Sequence, residues 1–278
     1  MPAFRYLFCI NPGRSGSQFL AELLATDPQV AAFHEAAPKM NADTLRLVER
    51  QPYADTYAAR RHKADACRAL LLAAGPAKRV YAETSHMFIK TFADVAMREF
   101  NPARGEHVGI LILRRELSRV VKSFVELGIY TPRNPYWPDW MPSVEACTRA
   151  IEPAAPEATL TSVERTVTYL VDIEARAQRF RREYPHADVF ETRLEALTSR
   201  NDDGAEARRL FAWAGLEVNE QTLAVAGGQA VNDRARRKTA LGTAPLTYEE
   251  AAAAVQAYLA RCRRAGVELP ASLATNPL

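Results

Sequence analysis

Short apolar runs alternate with segments whose apolar residues recur every three or four positions, and this alternation sets the expected fold. Tyr6–Ile10 is a brief apolar run closed by Asn11-Pro12-Gly13, the mark of a buried strand. From Ser17 the apolar positions Phe19, Leu20, Leu23 and Leu24 follow helical spacing until Asp27-Pro28 stops them. Val30–Phe33 reads as a second strand, and the stretch from Met40 to Ala74 as largely helical. Arg79–Ala82 and Val108–Leu113 are further strands, the latter a continuous apolar run of the kind found in a sheet covered on both faces. Leu117, Val120, Val121 and Phe124 then line one side of a helix. Next, "GIYTPRNPYWPDWMPS" (Gly128 to Ser143) carries four prolines and two tryptophans, which predicts a structured loop beside a cleft. Val163, Val167, Leu170, Ile173, Ala177, Phe180 and Tyr184 mark a long amphipathic helix, Asp188–Phe190 a strand, and Tyr248–Arg264 a final helix.

Strand followed by helix, repeated, predicts βαβ units. The expected class is therefore α/β: a central parallel sheet flanked by helices in a doubly wound arrangement, with a helical C-terminal part, forming a single domain over residues 1–278. At 48% hydrophobic and 25% charged, the chain can bury a substantial core without crosslinks. The net charge of +3, from 36 basic and 33 acidic residues, argues against nucleic acid or a membrane surface as main partner, so any basic site is local. No apolar run reaches the length of a membrane span, and the first residues carry no secretory pattern. Cys9, Cys67, Cys147 and Cys262 are scattered, which reads as reduced thiols in a cytoplasmic protein with no metal site. Only six of the 36 basic residues are lysine, and arginine suits bidentate contacts to phosphate-like anions.

Candidate chemistry begins at "FCINPGRSGSQFLAELL", where a glycine-containing turn joins the first strand to the first helix. Such a turn presents backbone amides and the positive end of the helix dipole to an anion. The Walker pattern fails here, because Gly16 is followed by Ser17 and the position five before it is Asn11. The dinucleotide pattern fails for want of a third glycine. What remains is Gly13-Arg14-Ser15-Gly16-Ser17, in which Arg14 can reach over a phosphate while Ser17 offers a hydroxyl at the helix start.

This stretch resembles the 5′-phosphosulfate loop of sulfotransferases that use 3′-phosphoadenosine 5′-phosphosulfate (PAPS). The Arg14-Ser15-Gly16-Ser17 core is closest to the carbohydrate sulfotransferases, with Gln18 standing where the family has Ser or Thr. The family's second mark, an arginine at a strand end and a serine eight residues on, is matched by Arg115 and Ser123 in "LILRRELSRVVKSF". Glu116-Leu117 replaces the family's Asp-Pro or Asn-Pro, and Arg114 competes for the arginine's role. The resemblance implies that Gly13, Arg14, Ser15, Gly16, Ser17 and Gln18 hold the 5′ side of the donor and Arg115 and Ser123 its 3′-phosphate. It further implies that a basic loop, with Arg236 and Lys238, closes over the nucleotide, and that Glu195 in "VFETRLEAL" is structural.

Sulfuryl transfer to an alcohol needs a base for the acceptor proton and neutralisation of the departing phosphate. Arg14 fits the second task. For the first, His34 and Glu35 follow the second strand and so emerge at the carboxyl edge of the sheet, where ligands bind in this class. Glu35 is the expected base and His34 its competitor; the carbohydrate sulfotransferases have Glu-Pro where this chain has Glu35-Ala36. Glu83 and His86 in "VYAETSHMF" also follow a strand and are expected to contact substrate, as is Trp137 of the aromatic loop with Tyr130, Tyr136 and Trp140. His62, His107 and His186 read as structural. The expectation is a cytoplasmic, bacterial PAPS-dependent sulfotransferase that modifies a hydroxyl, less readily an amine, of a small-molecule or carbohydrate acceptor and releases adenosine 3′,5′-bisphosphate (PAP). The alternatives are a non-catalytic nucleotide-binding protein and a kinase with a degenerate phosphate loop.

Overall fold

The computed structural model describes residues 2–227 and 246–275. In chain order the elements are β1 (Tyr6–Ile10), α1 (Ser17–Leu24), β2 (Val30–Phe33), α2 (Asp43–Arg50), α3 (Tyr53–Arg60), α4 (His62–Ala73), β3 (Val80–Glu83), α5 (Ala93–Glu99), β4 (Val108–Arg114), α6 (Leu117–Glu126), α7 (Ser162–Glu183), β5 (Asp188–Arg193), α8 (Leu194–Leu197), α9 (Ala205–Ala214), α10 (Glu220–Ala226), α11 (Tyr248–Arg264) and α12 (Ser272–Thr275). The expected helical stretch after Met40 is broken into α2, α3 and α4, because Gln51-Pro52 and the turn at Arg61 interrupt it. The described residues form two compact units, one from positions 2–40, 57–114 and 186–227, the other from 41–56, 115–185 and 246–275.

The first unit holds the sheet. Five strands, all parallel, lie in the order β2-β3-β1-β4-β5. The α/β class with a central parallel sheet is thus the observed one. Alternation along each strand assigns two faces. Leu7 and Cys9 of β1 and Leu111 and Leu113 of β4 share one core with Phe19, Leu20, Leu23 and Leu24 of α1 and with Leu210 and Phe211 of α9. The opposite face is aromatic: Phe8 stacks on Phe88 at 4.9 Å, and Tyr6 stacks on Phe100 at 3.9 Å. Cover on both sides explains why β1 and β4 read as continuous apolar runs. Gly109 is a glycine because a Cβ there would lie 2.7 Å from the Phe4 ring and 2.8 Å from Leu7.

β1 is the central strand, and the chain leaves it first for β2 and β3 on one side, then for β4 and β5 on the other. Its carboxyl end is therefore the point where the strand order reverses, the place where open α/β sheets leave a crevice.

In the second unit α6, α7 and α11 pack together, with Phe124 edge-on to Tyr169 at 5.9 Å and Arg261 paired with Glu164 at 3.0 Å. Thr161 and Glu164 form a reciprocal cap that starts α7. Arg176 is buried and spends its guanidinium on Asp172 and on the Tyr53 hydroxyl, each at 2.5 Å. The proline-rich stretch 128–143 is ordered, as its aromatics suggested. Tyr130 is buried against Trp137 and donates to the Pro142 carbonyl, Asp139 pairs with Arg46 of α2 at 2.5 Å, and Glu49 accepts from the Ser143 amide at 2.6 Å. Among the described residues no helix is long and apolar enough to cross a membrane.

Candidate active site

The turn after β1 is held by one buried side chain. Asn11 donates through Nδ2 to the Thr84 carbonyl at 3.1 Å and accepts through Oδ1 from the Gly13 amide at 2.9 Å. This fastens the turn to the end of β3 and bends the chain back on itself. Gly13, Arg14 and Gly16 then take left-handed backbone angles, with φ of 82°, 56° and 93°. For Arg14 this conformation is unusual and marks a strained residue held by its surroundings. At Gly16 a side chain would also force Leu194 to move, since a Cβ would meet its Cδ1 at 2.5 Å. Gly16 is the N-cap of α1, no side chain caps that end, and no acidic residue lies in its first turn. Amides at such an end have no intrahelical partner and carry the positive end of the helix dipole. Ser15 is fully buried beneath the turn, Ser17 is nearly so, and Gln18 donates to Glu22 at 3.2 Å along the helix surface.

Beside this turn, the ends of β2 and β3 bring a cluster of titratable groups together. Thr84 donates its hydroxyl to the Ser17 carbonyl at 2.7 Å and lies 3.4 Å from His34 Nδ1, so it ties β3 to α1 and to the residue after β2. Glu35 Oε1 lies 3.6 Å from His34 Nε2 and 3.8 Å from His86 Nε2. The His86 ring lies against Gly13, whose missing Cβ would sit 3.4 Å from the ring. Lys90 Nζ is 2.8 Å from His86 Nδ1. The expected residues Arg14, His34, Glu35 and His86 thus share one edge of the sheet with the β1–α1 turn.

The electrostatics of this edge are set by burial. It pushes the Glu35 carboxyl above its ordinary range, while the Lys39 and Lys90 ammonium groups oppose the rise. It pushes His34 down, helped by the Arg14 and Lys39 charges. His86 is driven well below the ordinary imidazole value, first by burial and then by Lys90, His34 and Arg14. Both rings are therefore neutral near pH 7, and the Arg14 guanidinium acts on both.

Glu83 sits differently from its expected partner His86. It is buried behind the edge, with Lys63 Nζ at 2.8 Å on Oε2 and the Tyr81 hydroxyl donating to the same oxygen at 2.6 Å. Lys63 also donates to the Ala36 carbonyl at 2.9 Å, which pins the segment after Glu35. Glu83 and Lys63, with Phe8, Lys39, Met40, Ser85 and Phe88, line a small cavity with space for about one water molecule. The carboxylate that reads as a substrate contact in the sequence is thus a member of an interior ionic cluster that steadies the Glu35 segment.

Arg115 and Ser123 belong to the second unit. Arg115 lies on the turn just after β4, and Ser123 is buried on α6, two helical turns further along. Arg114, the competitor for the arginine's role, ends β4 and is paired with Glu191 of β5. Trp137 packs on Tyr130 in the second unit. Glu195 lies in α8. Arg236 and Lys238 lie outside the described residues. No cluster of three or more His, Cys, Asp or Glu side chains with metal-binding geometry occurs among the described residues.

The whole fold is similar to that of two solved structures. The sulfotransferase domain of the Synechococcus PCC 7002 olefin synthase superposes with a TM-score of 0.52 at 13% identity, covering 93% of this chain and 95% of that one. The sulfotransferase domain from the curacin biosynthetic pathway gives 0.51 at 12% identity, covering 97% and 99%. The chain has the sulfotransferase fold. No family model matches the sequence, and no curated protein does.

Sequence inspection alone passed over Asn11, Lys63 and Lys90. The signal for Lys90 was present: it stands four residues after His86, one helical turn. Asn11 read only as a turn residue, and nothing local shows that its amide reaches Thr84, 73 positions away.

Proposed function

We propose that this protein is a PAPS-dependent sulfotransferase that moves a sulfuryl group to a hydroxyl, less readily an amine, of a small-molecule or carbohydrate acceptor in the cytoplasm and releases PAP. One observation carries the reading: the Arg14-Ser15-Gly16-Ser17 turn, which resembles the phosphosulfate loop, stands at the strand-order reversal of a sheet with the sulfotransferase fold, next to the partly buried Glu35 carboxylate and two imidazoles.

The residues fit such a donor. The start of α1 carries no side-chain cap, and two left-handed glycines shape the turn before it, which suits an anion at the helix N-terminus. In this reading the loop from Gly13 to Gln18 holds the 5′ phosphosulfate end. Arg115 and Ser123 hold the 3′-phosphate, the group that separates PAPS from ATP, and Arg236 and Lys238 add to the nucleotide site. PAPS supplies the sulfuryl group. Arg14 neutralises charge on the departing phosphate, and Glu35 takes the acceptor proton at a carboxylate whose raised pKa makes it a better base near neutral pH. Trp137 is assigned to the acceptor side.

A thermal-shift comparison tests the nucleotide assignment. PAP is expected to raise the melting temperature by mass action, and ATP with magnesium to leave it unchanged. Stabilisation by ATP–magnesium alone would favour the kinase reading. Mass spectrometry of an acceptor panel or a metabolite extract incubated with PAPS is expected to show a product heavier by one sulfuryl group. PAP binding with no such product from any extract would favour a non-catalytic nucleotide-binding protein. Arg115→Ala should weaken PAP binding by about 2 kcal/mol, the scale of a lost charge-assisted hydrogen bond. Glu35→Gln should leave PAP affinity in place and lower turnover; equal loss of affinity in both variants would overturn this division of roles.

A further inference from the structure

Two imidazoles flank Glu35, and the contacts on their far nitrogens differ in kind. His86 Nδ1 faces the Lys90 ammonium at 2.8 Å. An ammonium donates hydrogen bonds and accepts none, so Nδ1 must be the accepting nitrogen and the ring proton must sit on Nε2. That Nε2 is the atom facing Glu35 Oε1, at 3.8 Å. His34 is the opposite case. The Thr84 hydroxyl spends its one proton on the Ser17 carbonyl and can only accept from His34 Nδ1, which leaves the lone pair on His34 Nε2.

Lys90 is placed for this contact by an unusual piece of backbone. Phe88–Phe92 forms a π-helical turn, fully buried, between the end of β3 and α5. Such turns are rare and concentrate at functional sites. The Lys90 side chain is buried to 1% exposure, an expensive place for a cation that only nearby polar and charged partners offset. The His86 ring stands between the Lys90 ammonium on one nitrogen and the Glu35 carboxylate facing the other, two groups of opposite charge.

From this geometry we infer that Lys90 is a positioning residue that fixes His86 as an Nε2–H donor aimed at Glu35, so that His86 orients the base and does not itself accept the acceptor proton. The inference rests on the sulfotransferase reading for the identity of the reaction, and on the contacts alone for the tautomer. The 3.8 Å gap is longer than a hydrogen bond, as catalytic contacts often are before substrate tightens them.

The test has two arms. In the first, 15N NMR of histidine-labelled protein without substrate is expected to show His86, assigned by its loss in His86→Gln, as a neutral ring with Nε2 protonated and Nδ1 bare. Lys90→Met, which keeps length and removes the donor, is expected to move proton density onto Nδ1, and Lys90→Arg to restore the wild-type pattern. In the second arm, His86→Gln keeps an N–H donor near the Nε2 position and is expected to lose about tenfold or less in kcat, the scale of one adjusted hydrogen bond. Glu35→Gln is expected to lose roughly 10²–10⁴-fold, the scale of a general base. A His86 ring protonated on Nδ1 or on both nitrogens overturns the inference, as does a His86→Gln loss equal to that of Glu35→Gln. Because the NMR arm needs no acceptor or donor, a wrong tautomer with intact sulfuryl transfer defeats this inference alone. The expected tautomer in a protein that transfers nothing defeats only the reading it rests on.

Discussion

Replacing Gly16 by alanine strikes the β1–α1 turn at its most constrained point. The residue has a φ of 93°, and an added Cβ would meet Leu194 Cδ1 at 2.5 Å, Cδ2 at 2.9 Å and Cγ at 3.1 Å. Two costs arise. The left-handed conformation costs an L-residue about 1–2 kcal/mol. Overpacking against Leu194 adds about 1–3 kcal/mol, the lower end applying if the leucine can rotate away. The expected destabilisation is therefore about 2–5 kcal/mol, a large fraction of the roughly 5–15 kcal/mol that holds a domain folded. The two parts separate in a double-mutant cycle. Leu194 is partly buried against the core beneath α1, so Leu194→Ala alone should cost about 1–2 kcal/mol, below the range for fully buried leucines. Combined with Gly16→Ala it should remove the steric part and leave the backbone part, a coupling of about 1–3 kcal/mol between the sites. Urea titration followed by circular dichroism measures all four proteins, and PAP titration tests the proposed nucleotide loop in each. If Gly16→Ala lies within about 0.5 kcal/mol of wild type, the left-handed turn is wrong. If the cycle shows no coupling, Leu194 is not what faces Gly16.

Other outcomes follow from the interior and from the titrating edge. Lys63→Met should destabilise the protein by about 3–5 kcal/mol by leaving Glu83 charged and buried without its cation, and the added change Glu83→Leu should recover part of that loss; a neutral single variant in a urea titration would dismiss the ion pair. Burial pushes the Cys9 and Cys67 thiols up to about 12 and raises Cys262, while Cys147 is exposed, so iodoacetamide at neutral pH should modify Cys147 rapidly and the other three only on unfolding. Modification of Cys9 in the native protein would refute the packing of β1. For Glu35 the raised pKa sets two signs. As the proposed base it must be ionised, so kcat/KM should fall as pH drops, with a midpoint above the ordinary 4.5, and Glu35→Gln should lose this limb. The folded state also binds its proton more tightly than the unfolded state, so Glu35 costs stability as pH rises from about 4.5 through its folded value, and Glu35→Gln should flatten that part of the pH–stability curve.

The chain's local chemistry determined a good deal. Period and punctuation located the five strands of the described residues; β1 and β4, covered on both faces, stand out as short apolar runs, and the turn residues that end strands are themselves distinctive. The same reasoning placed a glycine-containing turn before α1, and the structure gives that turn left-handed glycines and a helix start with no side-chain cap. Tertiary structure decided what depends on distant side chains. Glu83 and Glu35 each follow a strand and look alike in sequence, yet Lys63 and Tyr81 draw Glu83 inside while Glu35 remains at the edge between two imidazoles. Asn11 reaching Thr84, Gly16 meeting Leu194 and Lys90 meeting His86 in a π-helical turn are likewise invisible along the chain. The physical reason is common to all of them: a charge or proton takes its role from its nearest polar neighbours in space, and strand order in a parallel sheet makes neighbours of residues tens of positions apart.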